Sequence, residues 1–364
     1  MKPRFALSPP RSSPFRRKRI GMRAFSAAAA GMASMLAAVP AHAQSSVTLF
    51  GILDAGIQYR THADGRHSAV NLQNYGTLPS QIGVTGSEEL GGGLKAIFRL
   101  EQGFSINNGS ATVPGLAFFR GAWVGLSGGF GAVTLGRQLS VLFDRTVLYD
   151  PLLYAAYSGQ GELVPLSANF VDNAVKYKTN DYAGFSAEFL AATGGVAGNS
   201  RSGRVLEAGA QYARDGFGVS AVIHQSHGGV SATADTSAQQ RTVAVLAAHG
   251  DIGKLSLYGG AERQTGSLEP AKTVAWAGTR YQMDPSIGFA GGVYHTFSNT
   301  PSVGHPTLFI ASSTYALSKR TVVYMNLGYS HNTSASTQPV YEYDTMPVAG
   351  VSQFGAMAGI YHTF

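Results

Sequence analysis

From Gln44 onward, apolar and aromatic residues recur at every second position in segments of about ten, and no stretch follows a long helical repeat. A period of two belongs to strands whose two faces meet different surroundings. In the first segment Val47, Leu49, Leu53, Ala55, Ile57 and Tyr59 share one face, while Thr48, Asp54, Gln58 and Arg60 share the other. Leu94, Ala96, Phe98 and Leu100 stand against Lys95, Arg99 and Glu101, and Leu255 and Leu257 against Lys254, Ser256 and Glu262. Val323, Met325, Leu327 and Tyr329 alternate with Tyr324 and Asn326. In these segments charge falls on the second face alone.

Clusters of Gly, Asp, Asn and Ser punctuate the segments at 87–93, 127–131, 180–184, 214–216, 250–253, 283–286 and 318–320, which predicts seven tight turns. Eight longer connections lie near 61–78, 104–116, 140–168, 194–203, 226–238, 265–271, 298–307 and 332–349. Seven short and eight long connections join sixteen strands. An even count, with short turns at one end and long loops at the other, predicts an all-β fold: a 16-stranded antiparallel transmembrane β-barrel spanning 44–364. Closure is what admits strands to lipid, because every backbone N–H and C=O must pair internally. A soluble β-sandwich also alternates, but here the apolar faces form one outer surface and the charged faces offer nothing for a second sheet to pack on.

The front of the chain is of another kind. Residues 1–43 hold eight of the 27 Lys and Arg and no acid, then an apolar run from Ala24 to Val39 and the small-residue site Ala41-His42-Ala43. This reads as a secretory signal peptide cut before Gln44, with Met22 the expected true start. Its removal leaves 19 basic against 20 acidic residues, a net charge near −1 in place of +7, so no nucleic-acid partner is implied. The chain has no cysteine, which excludes a disulfide framework and thiolate metal sites.

Little in the sequence points to catalysis or a cofactor. His224-Gln225-Ser226-His227 is the one closely spaced histidine pair, and residues three apart on a strand face opposite ways. Serine and histidine pairs can always be found in a chain this polar, and Gly91-Gly92-Gly93-Leu94-Lys95 lacks the closing residues of a phosphate loop. No enzyme, metal or cofactor is expected. The connection 140–168 is unusual for its length. It carries Leu142, Phe143, Leu148, Tyr149, Leu152, Leu153, Tyr154 and Tyr157 beside Asp144, Arg145, Asp150 and Glu162. A loop that must bury apolar groups after a barrel strand has the lumen to enter. Tyr59, Trp123, Trp276, Tyr329 and Tyr361 are expected at the membrane interfaces.

Several segments together resemble the Gram-negative trimeric porins of β-proteobacteria over essentially all of 44–364. They include Ser46-Val47-Thr48-Leu49-Phe50-Gly51, the run Gly86 to Ala96 with Phe104 to Gly109, and Val124-Gly125-Leu126-Ser127. Gly131 to Gln138, Asn173 to Tyr177, Tyr315 to Thr321 and the terminal Phe364 complete the set. The resemblance implies a homotrimer in the bacterial outer membrane, inserted by the barrel-assembly machinery through the last strand. It also implies a third loop folded inward as a constriction, with wall cations facing loop acids across a water-filled channel for ions and small hydrophilic solutes. By position Arg120 and Arg137 match wall arginines, Lys176 shares a face with them by alternation, and Asp144, Arg145, Asp150 and Glu162 are the candidate loop charges.

The chain departs from that pattern. Where relatives have Ser-Arg-x-Gly-x-Arg-Gly it has Ser80-Gln81-Ile82-Gly83-Val84-Thr85-Gly86, so Gln81 and Thr85 are neutral. Where relatives often have arginine before Val-Asn-Asn it has Phe170. Cations usual at the constriction are thereby missing, and a weaker anion preference is expected. Strict alternation sets Arg137 on the face of Val133 and Leu135, so either a bulge at Gly136 re-aims it inward, the favoured expectation, or it lies beyond the hydrocarbon. A substrate-specific porin with a saturable site along loop tyrosines such as Tyr149 and Tyr154 is the alternative.

Overall fold

The computed structural model describes residues 45–155, 157–159, 166–301, 303–333, 335–343 and 346–364. The expected signal peptide and Glu162 lie outside the described residues. Seventeen strands, each antiparallel to its neighbours, make one sheet that closes where β1 (Ser46–Arg60) pairs with β17 (Gln353–Thr363). The closing seam runs from Ile52 opposite Thr363 to Arg60 opposite Gly355. Phe364 extends it, exchanging backbone hydrogen bonds with Gly51 at 3.0 and 3.1 Å. No edge is left open, which is the condition for strands to stand in hydrocarbon.

Two of the seventeen are parts of one stave. β2 (Ala69–Gln73) pairs with the end of β1 and β3 (Gln81–Gly91) with its start, so the barrel has sixteen staves. The turn-forming residues of 61–78 predict a loop throughout, whereas residues 69–73 are ladder. Val70 and Leu72, both on the exposed face of that ladder, continue the period of two across a stretch rich in turn formers.

All seven expected tight turns join consecutive strands, among them Gly128 to Gly131, Arg214 to Phe217 and Ile252 to Leu255. The eight longer connections fall at the opposite strand ends. Side chains on one face are apolar and exposed, with Val47 at 67%, Ile57 at 63% and Leu246 at 61%. Those on the other face are polar and buried, among them Asp54, Gln58, Glu207, Glu262 and Asn326. Apolar-out, polar-in is the arrangement water reverses and lipid demands. No helix among the described residues is long and apolar enough to cross a membrane.

Candidate pore constriction

Among the described residues, the connection between β6 (Gly131–Leu139) and β7 (Phe170–Lys178) is the one that carries helical elements. It opens with helix α1 (Val141–Thr146), capped by Ser140, whose Oγ accepts from Phe143 N at 2.9 Å. A 3-10 turn (Val147–Tyr149) follows, and Asp150 then folds the chain by accepting from Leu152 N at 3.0 Å and Tyr154 N at 2.8 Å. Val141, Leu142, Tyr149, Leu152, Tyr154 and Tyr157 are buried, as their apolar character requires.

The barrel residues that hold this loop come from widely separated staves. Glu207 on β9 (Val205–Arg214) accepts from Val141 N at 2.6 Å, and Ser186 on β8 (Phe185–Ala192) accepts from Arg145 at 3.1 Å. Trp276 on β13 (Lys272–Gln282) donates to the Tyr149 carbonyl at 3.0 Å. Tyr294 on β14 (Ile287–Phe297) donates to Asp150, and Gln58 on β1 donates to Tyr157 Oη at 2.9 Å. Every one of these wall residues lies on the buried polar face.

The loop charges sort differently from the expectation. Asp150 is fully buried with both oxygens engaged, so it folds the loop instead of presenting charge to an aperture. Arg145, 3% exposed, is likewise an anchor, 3.3 Å from Glu188. Desolvation raises the carboxyl pKa of Asp150 above the ordinary range, offset in part by the Tyr294 hydroxyl and the loop N–H groups. Asp144 alone of the described loop acids is partly open, and it pairs with Lys176. Lys176 also lies 3.6 Å from Glu188, and Lys178 lies 3.1 Å from it.

A second charged group stands on the neighbouring wall. Glu101 on β4 (Leu94–Gly103) holds Arg99 at 2.5 Å and Arg120 at 2.8 Å. Arg120 lies 5.4 Å and Arg137 5.5 Å from the ring centroid of Phe170, within cation–π range. The register of β6 on β7 breaks between Gly136 and Gln138, and Gly136 has φ of +130°, where a Cβ would be strained. At this bulge Arg137 donates to Asp172 at 2.6 Å and to the Phe119 carbonyl, while on the other side it still pairs in register with Ala122. Its charge is thereby neutralised locally, a different resolution from a simple inward turn. Gln81 is buried, and Thr85 spends its hydroxyl on the Phe98 carbonyl at 3.0 Å.

Glu101, Glu188 and Glu207 hold the site together without belonging to any motif in the sequence. A signal for them exists nonetheless: each is an acid on the polar parity of its strand. His224 belongs to a wall pair, its Nδ1 2.6 Å from Glu207, and the described residues hold no cluster that could bind a metal. Tyr149, Tyr154 and Tyr157 are each 1% exposed or less, with no face open for a solute to stack on.

A closed barrel with a lipid-facing apolar exterior and a polar, charge-bearing interior is a transmembrane channel. The Gram-negative porin family matches residues 26–335. Outer membrane porin protein 32 of Delftia acidovorans is 30% identical over 356 residues, covering 92% of this chain and 98% of that one. Major outer membrane protein P.IB of Neisseria lactamica is 29% identical over 82% of this chain and 92% of its own length. The solved anion-selective porin from Comamonas acidovorans has a TM-score of 0.78 at 27% identity, covering 88% of this chain and 100% of that one. The chain therefore belongs to the Gram-negative porin family, outer-membrane channels through which ions and small hydrophilic solutes diffuse passively.

Proposed function

We propose that this protein is a general diffusion porin of weak ion preference, with the described part of connection 140–168, residues 140–155, crossing the lumen as its constriction. The observation that supports it is the pairing of wall cations: Arg99 and Arg120 share Glu101, and Lys176 and Lys178 share Glu188, with Asp144 on the loop. Gln81 and Phe170, where the resemblance to porins implies arginine, are neutral in this chain. Glu101 offsets one of its two arginines, and Glu188 with Asp144 offsets two of Arg145, Lys176 and Lys178, so each group presents about one net positive charge in place of two or three; unit charges ~4 Å apart interact by about 1 kcal/mol in water and about 4 at an effective dielectric of 20.

The Comamonas relative is anion-selective by its description, and this chain is proposed to be less so. Reversal potentials of the purified protein in a KCl gradient test it, with a permeability ratio near unity expected. Strong anion preference would reject the reading. Burial of the loop tyrosines weighs against the saturable alternative, because stacking on a sugar requires an accessible ring face. Assembly as a homotrimer, export through a signal peptide ending at Ala43, and insertion through the strand ending at Phe364 complete the proposal. Triplet conductance steps and the mature N-terminus read by mass spectrometry check the first two. No cofactor or catalytic step enters.

A further inference from the structure

The second stave leaves the barrel wall between β2 and β3. Gly56 of β1 pairs with Gln73 and Ile52 with Gln81, so the seven residues 74–80 stand opposite three of β1. A bulge usually adds one residue, and this one adds four. The backbone groups it removes from the ladder need other partners. Asp54, itself fully buried, supplies two of them: Thr77 N and Leu78 N each donate to its Oδ2 at 2.8 Å.

The contacts also give the excursion a direction. Tyr324 on β16 (Thr321–His331) donates to the other oxygen of Asp54 at 2.6 Å, and Asn326 donates to the Gly76 carbonyl at 2.9 Å. Both residues lie on the buried polar face, so the excursion leans into the barrel. Gly76 passes so near Tyr324 that a Cβ there would lie 1.9 Å from the tyrosine oxygen. At its inner end Tyr75 donates its hydroxyl to the Tyr154 carbonyl, in the turn that Asp150 folds. A buried carboxylate is tolerated only when hydrogen-bonded, and here three donors converge on one group from two parts of the chain.

We propose that Asp54 is a positioning residue for the constriction: it pins residues 74–80 inside the barrel, where Tyr75 holds the Tyr154 turn of loop 140–169. The inference rests on the reading of that loop as the constriction. Pore calibre is then set by a broken wall strand as well as by the loop, and Asp54 acts through Tyr75 without touching the solute.

Single-channel recording of the full assembled porin tests it. Tyr75→Phe keeps the ring against Tyr343, whose centroid is 5.1 Å away, and removes only the hydroxyl. Loss of one hydrogen bond is expected to raise time spent in closed or sub-conducting levels about fivefold, with heat stability of the assembled protein unchanged. Asp54→Asn presents an amide N–H₂ to backbone donors and should flicker similarly. Because Asp54→Ala endangers the fold, Asn326→Ala is the second line, freeing Gly76 while leaving Asp54 in place. Wild-type current traces in Tyr75→Phe and Asp54→Asn would overturn the proposal, as would lowered heat stability with unchanged flicker. The constriction reading has its own control in Glu188→Gln, which loosens the loop's other end. If that variant alters conductance while these do not, only the positioning role of Asp54 falls; if none alters it, the constriction reading falls as well.

Discussion

Trp276 gives its indole N–H to the backbone carbonyl of Tyr149 at 3.0 Å, and the two residues bridge strand β13 and the loop 127 positions earlier. Aromatic character alone predicts Trp276 at the membrane interface, and it is instead 4% exposed on the inner wall. Its parity on β13 decides this, since it alternates in step with buried Val274 and with Arg280, whose Nε donates to the Pro151 carbonyl. Tyr59 and Tyr329, on the exposed parity, remain outward-facing at 40% and 42%.

Trp276→Phe keeps most of the buried ring and removes the donor. The Tyr149 carbonyl is left without that partner, a cost of about 1–3 kcal/mol for a buried acceptor. Increased open-channel noise with little change in mean conductance is the expected outcome, read in planar bilayers. Trp276→Ala adds a cavity, costs about 3–5 kcal/mol in total and should lower the thermal midpoint further.

Glu188 is the acid on which the start of the loop depends. It is 2% exposed and meets Arg145 at 3.3 Å and Lys178 at 3.1 Å. Glu188→Gln keeps the shape and strands the buried Arg145 guanidinium, and breaking one side of such a pair costs about 3–5 kcal/mol. The expected result is release of helix α1, read as altered conductance and new protease cleavage within 140–155. Replacing Arg145 by Met in the same variant should restore much of the loss, because the unpaired charge is then gone.

The barrel is legible in the sequence because a period of two, interrupted by turn residues and sustained from Gln44 to the C-terminus, fits few architectures besides a closed sheet with a lipid face. The Gly136 bulge is legible as well, since Arg137 on a lipid parity is a conflict that a register shift can relieve. The break at 74–80 is not: its polar, Gly- and Pro-containing run looks like any loop, and its partner Tyr324 lies 270 positions from Asp54. Loop charges mislead for a related reason. Asp150 in a polar connection reads as solvent-facing, and only the fold brings Tyr294 and two backbone N–H groups onto it.

The long connection after β1 carries a clasp between Asp64 and His67 that is expected to depend on pH. Asp64 accepts from Arg66 N at 3.0 Å, from His67 N at 2.7 Å, and pairs with His67 Nδ1 at 2.7 Å. The His67 contact holds the Asp64 carboxyl well below its ordinary 3.8 and raises the imidazole above its ordinary 6.5. The lowered acid contributes above 3.8 and is lost as pH falls through its depressed value; the raised base contributes below 6.5 and is lost as pH rises through its elevated value. The clasp is therefore complete between about pH 4 and 6.5. Amide protection across residues 62–68, the exchange rate corrected for its intrinsic pH dependence, should be greatest in that window, and His67→Asn should remove the alkaline limb. A flat profile would show that the pair does not order the loop.

Gln81→Arg returns a cation to the stave that carries the inward break. Glu101 already serves both Arg99 and Arg120, so that group holds one uncompensated positive charge, and a third arginine finds no free carboxylate in it. Gln81 pairs in register with Gly103 and Gly83 with Glu101, which sets the new side chain one same-face step along the wall from the pair. An unpaired unit charge within ~4 Å of a permeating ion is worth about 1 kcal/mol in water and about 4 at an effective dielectric of 20. Even the smaller figure shifts an anion-to-cation permeability ratio about fivefold. The variant is expected to move the KCl reversal potential in the anion-selective direction, more strongly at low than at high salt because screening shortens the reach of the charge. An unmoved reversal potential with normal conductance would mean that ions do not pass within reach of this part of the wall, and that weak selectivity arises elsewhere along the lumen.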